Sequence, residues 1–324
     1  MASQGSHVTA LVRTHASGDE EAFYAVALQA AAREARQGHH HLAAEIKKAC
    51  GSSSESRRTQ LAKVTRLPRS QNDVTDLIEV SYPQVSLRDL VIAPDLAAQV
   101  VQVIQEQRQR AVLAEHGFTP MHRLLLEGPP GTGKTMTASV ISSELSLPMC
   151  TVRLDGLLSK FMGETASKLR TIFETVASQR AVYLFDEFDA LGGDRGGNDV
   201  GEARRILNTF LMFLEDAGSD SIVIAATNHR SILDRALFRR FDAVLTYSLP
   251  DAQQAQSVIR KRLGSLVKGI RLGGLASFTE GLSHADLVKA AESAAKSALM
   301  RGDTAVTRKD IETALSARRL ASLR

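Results

Sequence analysis

A chain of 324 residues that is 44% hydrophobic and 23% charged can build about two domains with their own cores, without disulfides or metals to brace them. Its apolar runs are short and no basic stretch followed by an apolar one opens it, which excludes an integral membrane protein and a secretion signal and points to the cytoplasm. Forty basic residues against 36 acidic ones, net +4, permit an acidic partner without arguing for one, and Cys50 and Cys150 are too few for a disulfide framework and read as free thiols.

Residues 1–50 read as a small helical module that would choose a substrate or adaptor. Ser17-Gly18-Asp19-Glu20 is a capping-box pattern, and Phe23, Val26, Ala27, Ala30 and Ala31 follow at helical spacing up to Gly38. A second helix runs from His41 to Cys50 and stops at Gly51. His39, His40 and His41 are contiguous, so they fan out around a helix and read as a solvated end rather than a metal site. Residues 51–82, rich in Ser, Arg and Gln with Pro68 among them, read as a linker. No aromatics are interleaved there for base stacking, which favours a polar tether over a nucleic-acid arm.

From residue 83 to 250, strand-like runs alternate with helical segments, the signature of an α/β fold with a parallel sheet and helices on its faces. Within it, Gly128-Pro129-Pro130-Gly131-Thr132-Gly133-Lys134-Thr135 fits the phosphate-loop pattern G-x-x-x-x-G-K-[ST]. The apolar strand Leu124–Leu126 enters the loop, and a helix from Thr135 to Leu145 leaves it with Val140 and Ile141 inward. Glycines let backbone N–H groups close around phosphate oxygens, and the helix start adds partial positive charge. Lys134 then reaches the β- and γ-phosphates, the Thr135 hydroxyl ligates Mg²⁺, and Met136 completes the nucleotide-binding run. ATP and Mg²⁺ are the expected cofactors.

The next strand, Ala181 to Phe185, ends in Asp186-Glu187. At the carboxyl edge of a buried sheet, Asp186 would hold the magnesium and Glu187 would deprotonate the attacking water. An acidic pair at a helix start is the alternative, which the phosphate loop beside it disfavours. The role of Asp189 is not separable here from helix capping. A third strand, Ser221 to Ala226, ends in Thr227-Asn228; Asn228 would bond the γ-phosphate or the water, though a turn-forming Asn fits equally. Residues 251–324 are helical throughout, and no repeat of 20–50 residues occurs.

Taken in order, Gly128–Thr135, Asp186-Glu187, Asn228 and Leu233-Asp234-Arg235-Ala236-Leu237-Phe238-Arg239-Arg240-Phe241-Asp242 resemble the AAA family of the AAA+ ATPases, in the branch of proteolytic unfoldases and microtubule-severing enzymes. The resemblance covers about residues 83–315. It implies a P-loop NTPase module with a large α/β subdomain (83–250), a helical lid (251–324) and a homo-oligomeric, usually hexameric, ring. It also implies that Asn228 is the sensor and that Arg239 or Arg240 is an arginine finger for the neighbouring subunit. The family usually separates those arginines by Pro-Gly; here they are adjacent, which leaves the finger open between them. The lid motif, usually Gly-x-Ser-Gly-Ala-Asp, reads Gly281-Leu282-Ser283-His284-Ala285-Asp286. His284 and Ala285 then fall beside the adenine, with His284 stacking on the base or pointing away. No lid arginine aimed at the phosphates is evident.

Leu158 to Glu164 follows a strand read from Met149 to Leu154 and precedes a helix with Leu169, Ile172 and Phe173 inward. Its Lys160-Phe161-Met162-Gly163 has the form of the family's pore loop, which grips an extended polypeptide; local packing of Phe161 is the alternative. Gly192 to Gly197 resembles a second pore loop, and the helix Glu202 to Glu215 carries Arg204 and Arg205 toward a neighbour or toward surface salt bridges. The expected function is ATP-driven remodelling or unfolding of a polypeptide through a ring pore. There is no His-Glu-x-x-His and no Gly-x-Ser-x-Gly, so any proteolysis falls to a separate subunit. A nucleic-acid-linked motor or loader, and a nucleotide-dependent assembly switch, are the other classes. The aromatic loop and the lack of a DNA-binding module disfavour nucleic acid.

Overall fold

The computed structural model describes residues 77–157, 162–191, 200–218, 220–229, 238–267, 270 and 272–322. The N-terminal helical module, most of the linker, Lys160, Phe161, the Gly192–Gly197 loop, Arg235 and Leu237 lie outside the described residues.

Short β-branched and leucine-rich runs build the sheet: β1 (Ile78–Ser81), β2 (Arg123–Glu127), β3 (Met149–Val152), β4 (Val182–Phe185), β5 (Ile222–Thr227) and β6 (Ala243–Thr246). They lie in the order β1-β3-β4-β5-β2-β6. All neighbours are parallel except the edge pair β1 and β3. Parallel neighbours require long crossovers. Helices α1 (Pro94–Arg108), α2 (Lys134–Glu144), α3 (Met162–Ser178) and α4 (Val200–Asp216) cover both faces, and α3 and α4 are the crossovers from β3 to β4 and from β4 to β5.

The period-two alternation of a strand sorts its side chains between those faces. Leu125, Tyr183, Phe185, Val223 and Ala225 pack with Leu169, Ile172 and Phe173 of α3 and Phe210 and Leu214 of α4. Their neighbours Leu124, Leu126, Val182, Leu184, Ile224 and Ala226 pack instead with Val100, Val103 and Ile104 of α1 and Ala138 and Ile141 of α2. The strand order places the carboxyl ends of β4, β5 and β2 side by side, with Phe185 opposite Ala225 and Glu127 opposite Thr227. The phosphate loop, Asp186-Glu187 and Asn228 leave the sheet there.

One boundary differs from the sequence reading. Ile78 to Ser81 is not linker but the edge strand β1, paired antiparallel with β3 from Ile78–Val152 to Ser81–Met149. Burial of Leu77 and Ile78 in the first core holds it down.

Beyond Pro250, α5 (Ala252–Leu263), α6 (His284–Met300) and α7 (Arg308–Ser322) enclose a third core. Asp251 and Ser283 each start a helix with a capping box, satisfying N–H groups that the first turn leaves unpaired. Among the described residues, no helix is long and apolar enough to cross a membrane.

Candidate active site

The loop after β2 is folded by contacts on both sides. Gly128 donates its N–H to Thr227 at the end of β5 (3.3 Å), and Tyr247, just beyond β6, donates to the Glu127 carbonyl (2.7 Å). Gly128 has φ 145°, and a Cβ there would collide with the Tyr247 carbonyl. Gly131 has φ 72°, and its Cβ would lie 2.6 Å from Ser283 Oγ in the lid. Glycine at both positions is therefore required by backbone angle and by close approach. Across the second contact, Ala285 N–H donates to the Gly131 carbonyl (3.0 Å), so the lid is joined directly to the loop.

Lys134 is the first residue of α2 and only 6% exposed. Its Nζ donates to the carbonyls of Gly128 (2.7 Å) and Pro129 (2.8 Å), and Thr132 Oγ1 also donates to Pro129 (2.7 Å). Burial lowers the Lys134 pKa, while Asp186 and Asp189 pull it back up. An ammonium has three donors, so one is uncommitted among the described residues.

Thr135 Oγ1 donates to Asp186 Oδ2 (2.7 Å), which brings a hydroxyl and a carboxylate together from different strand ends. Asp186 Oδ1 accepts the Glu187 N–H (2.9 Å). Glu187 sits at φ 52°, a left-handed conformation that costs a non-glycine residue about 1–3 kcal/mol unless its surroundings impose it. Here they do. The Glu187 carbonyl accepts from Ala190 (2.8 Å) to close a 3₁₀ turn, Phe188–Leu191. Phe188 in that turn is fully buried against the Phe210 ring, centroids 4.7 Å apart.

Asp189 resolves a question the sequence left open. Its Oδ1 accepts from Thr227 Oγ1 (3.0 Å) and from the Asn228 N–H (3.2 Å). It ties the turn after β4 to the end of β5 and so fixes where Asn228 begins.

These groups share a cavity of about 740 Å³. Pro130, Gly131, Gly133, Lys134, Thr135 and Met136 form one wall, and Asp186, Glu187 and Asn228 join it. Asp89, Leu90 and Val91 from the segment before α1, with Val258, His284, Ala285 and Val288 from the lid, complete it. Pro129 and Thr132 brace the loop from behind through the bonds above. The 89–91 segment was not readable from sequence: Asp89 closes a local turn on Ser86, a signal common to any loop. The lid also brings Lys261 and Arg262 of α5 to the wall, basic residues that sequence shows only as an ordinary helix end. Arg262 is engaged by Glu292 (2.9 Å).

Arg239 and Arg240 are both exposed and do not line this cavity. Arg240 pairs with Glu215 of α4 in its own chain. The segment is anchored by Asp242, whose Oδ2 accepts the N–H groups of His122 and Arg123 at the start of β2, both at 2.9 Å. Met162 and Gly163 already belong to α3.

The donor set fits a nucleoside triphosphate with its metal. The uncommitted Lys134 donor and the amino end of α2 suit phosphate, and the paired hydroxyl and carboxylate oxygens of Thr135 and Asp186 suit a hard divalent cation. Fold and cavity together define a P-loop nucleotide hydrolase. A family profile described as ATPase family associated with various cellular activities (AAA) matches residues 124–249. The AAA family ATPase y4kL of Sinorhizobium fredii is 31% identical over 304 residues, 92% of this chain and 91% of its own. The ATP-dependent zinc metalloprotease FtsH 4 of Sphaerobacter thermophilus is 34% identical over 73% of this chain and 38% of its own length. Meiotic spindle formation protein mei-1 of Caenorhabditis elegans is 36% identical over 68% of this chain, which spans 48% of it. The chain belongs to the AAA family and is an ATPase.

Proposed function

We propose that this ATPase works as a homo-oligomeric, hexameric ring in the cytoplasm and uses ATP hydrolysis to remodel or unfold a polypeptide threaded through its pore. The observation that carries the catalytic part is the meeting of Lys134, the Thr135–Asp186 pair and Glu187 in one cavity.

The loop backbone and Lys134 hold the phosphates, and Thr135 and Asp186 hold Mg²⁺. Bound there, Mg²⁺ supplies charge neutralisation on the β- and γ-phosphate oxygens. The Glu187 carboxylate takes the proton of the attacking water, which Asn228 orients. An arginine from the neighbouring subunit, Arg239 or Arg240, stabilises charge on the transferring phosphoryl group, a contribution of about 10³–10⁵ in rate. The polypeptide reading rests on Lys160-Phe161-Met162-Gly163 and on the likeness to FtsH and mei-1. Module 1–50 would select the substrate or an adaptor, and any protease would be a separate subunit.

Two variants test this. Glu187→Gln should bind ATP with Mg²⁺ but turn over very slowly, and should retain its substrate in a pull-down. Phe161→Ala should keep basal hydrolysis yet lose stimulation by unfolded protein, because the ring is the loop's largest apolar contact. Stimulation by DNA instead of protein would replace this reading with a nucleic-acid motor. Indifference to both would leave an assembly switch.

A further inference from the structure

Arg239 and Arg240 stand exposed in a short turn that is held at both ends. Phe238 and Phe241 flank them and pack on the first core, and the Phe241 N–H donates to the Phe238 carbonyl (3.4 Å). One residue further, Asp242 grips the start of β2. Its Oδ2 accepts the N–H groups of His122 and Arg123 and lies 3.2 Å from His122 Nδ1. Its Oδ1 accepts Nε (3.1 Å) and Nη2 (2.6 Å) of Arg123, a charged two-pronged fork, and its own N–H donates to the Arg123 carbonyl (2.8 Å). Burial raises the Asp242 pKa, but the fork and the two N–H groups outweigh it, and the net shift is downward. A cavity of about 560 Å³ opens beside this seam, lined by Met121, Arg123, Glu215 and Asp242 among others. Packing thus leaves one flank of the turn open, and the half-exposed Arg240–Glu215 pair holds it only weakly. The fork is the strong tie on that flank. β2 then runs from Arg123 to Glu127 straight into the phosphate loop. The arginine turn therefore stands at the amino edge of the sheet, while the loop of the same chain leaves the carboxyl edge.

We propose that Asp242 is a positioning residue for hydrolysis: its carboxylate fixes the Arg239–Arg240 turn against the start of β2, so that the arginine one chain offers its neighbour arrives correctly placed at the phosphates. The inference rests on the reading of that arginine as a finger supplied by the adjoining subunit. Stabilising charge on a transferring phosphoryl group depends on close placement of the donor, and a displacement of about 1 Å can cost about 10²-fold in rate. Freed from the fork, the turn keeps its two phenylalanine anchors but tilts about them. The chain's own phosphate loop, Thr135–Asp186 pair and Glu187 are untouched by that change.

The test follows ATP binding and turnover of Asp242→Asn, alone and in mixed assemblies. The variant keeps the side chain's shape and an acceptor for the two N–H groups but loses the charge that Arg123 forks onto. It should bind ATP within about twofold of the intact chain and turn over about tenfold more slowly at saturating ATP. Mixed with Lys134→Ala it should regain part of that turnover, because the second chain brings an intact arginine turn to the first chain's phosphates. Mixed with the double variant Arg239→Ala/Arg240→Ala it should regain none, because neither chain then places a finger. A chain weakened only in its fold would not regain turnover from a partner that lacks its own phosphate contact. Arg123→Ala removes the fork and leaves the backbone bonds of Asp242; it should follow the same pattern more mildly, and it decides the matter if Asp242→Asn does not fold. Normal turnover in both variants overturns the proposal. So does a loss that Lys134→Ala fails to restore while restoring the arginine double variant. If the double variant itself keeps its turnover, the finger reading falls, and this proposal with it.

Discussion

Asp189 does not line the cavity, yet its carboxylate holds the start of Asn228. Removing it leaves the buried Thr227 hydroxyl and the Asn228 N–H without an acceptor, at a cost of about 1–3 kcal/mol. If Asn228 orients the water as proposed, Asp189→Ala should lower turnover roughly tenfold or more, with a much smaller effect on ATP affinity, since it moves that Asn and leaves the phosphate loop in place. Asp189→Asn keeps an acceptor and should recover most of the loss; steady-state kinetics of both variants check this. Equal loss in the two would point to the charge beside Lys134 rather than to positioning. The contrast with its neighbours shows what is readable in a sequence. That Lys134, Asp186, Glu187 and Asn228 would line one cavity was legible because each lies just beyond an apolar strand, at the edge where ligands sit. Asp189 was not, because its partners lie 38 and 39 residues away and only the β4–β5 pairing brings them together.

Among the elements, the lid helices depend on carboxylates held ionised at their starts. Asp310 is kept down at about 2 by the Thr307 hydroxyl, then by Arg301 and the Thr307 N–H. At Asp286, burial pushes the pKa up, but bonds from the Ser283 hydroxyl and Arg318 outweigh it and the net shift is downward. Both folded values lie below the ordinary 3.8, so the stability they supply is complete above that pH and is lost as pH falls toward 2. Thermal unfolding followed by circular dichroism should show a midpoint that drops across this window. Asp310→Asn should be less stable at neutral pH and flatter below pH 3.8. The alternation of periods along residues 83–250 marks real strands and helices, whereas the caps Asp251 and Ser283 emerged only from the structure. The edge strand β1 escaped because four residues in polar company carry little periodic signal, and its partner Val152 is remote in sequence.

For the whole molecule, what matters is which groups one chain lacks within its own cavity. Neither Arg239 nor Arg240 lines it, so in the ring proposed above an arginine at the phosphates comes from a neighbouring chain. Arg240 is already paired with Glu215, both ends about half exposed at 42% and 44%, an arrangement worth about 0–1 kcal/mol. Arg239 is exposed beside it with no such pair among the described residues, so within the proposed mechanism it is the first of the two to test as the finger. Arg239→Ala should reduce turnover about 10³-fold or more while ATP still binds, whereas Arg240→Ala should have the smaller effect. Mixing Arg239→Ala with Lys134→Ala should restore part of the hydrolysis, each chain supplying what the other lacks. Absence of rescue in mixed assemblies would place the whole site within one chain.

The bond from Ala285 N–H to the Gly131 carbonyl has a mechanical consequence. It fastens one end of α6, a rod 17 residues long, to the strip of backbone that would hold phosphate. At 1.5 Å per residue the rod is about 25 Å long, so a tilt of about 10° at the fastened end sweeps the other by about 4 Å. That other end is Met300, 88% exposed. A tilt of that size at the loop would therefore carry the rim of the lid by about the width of a side chain.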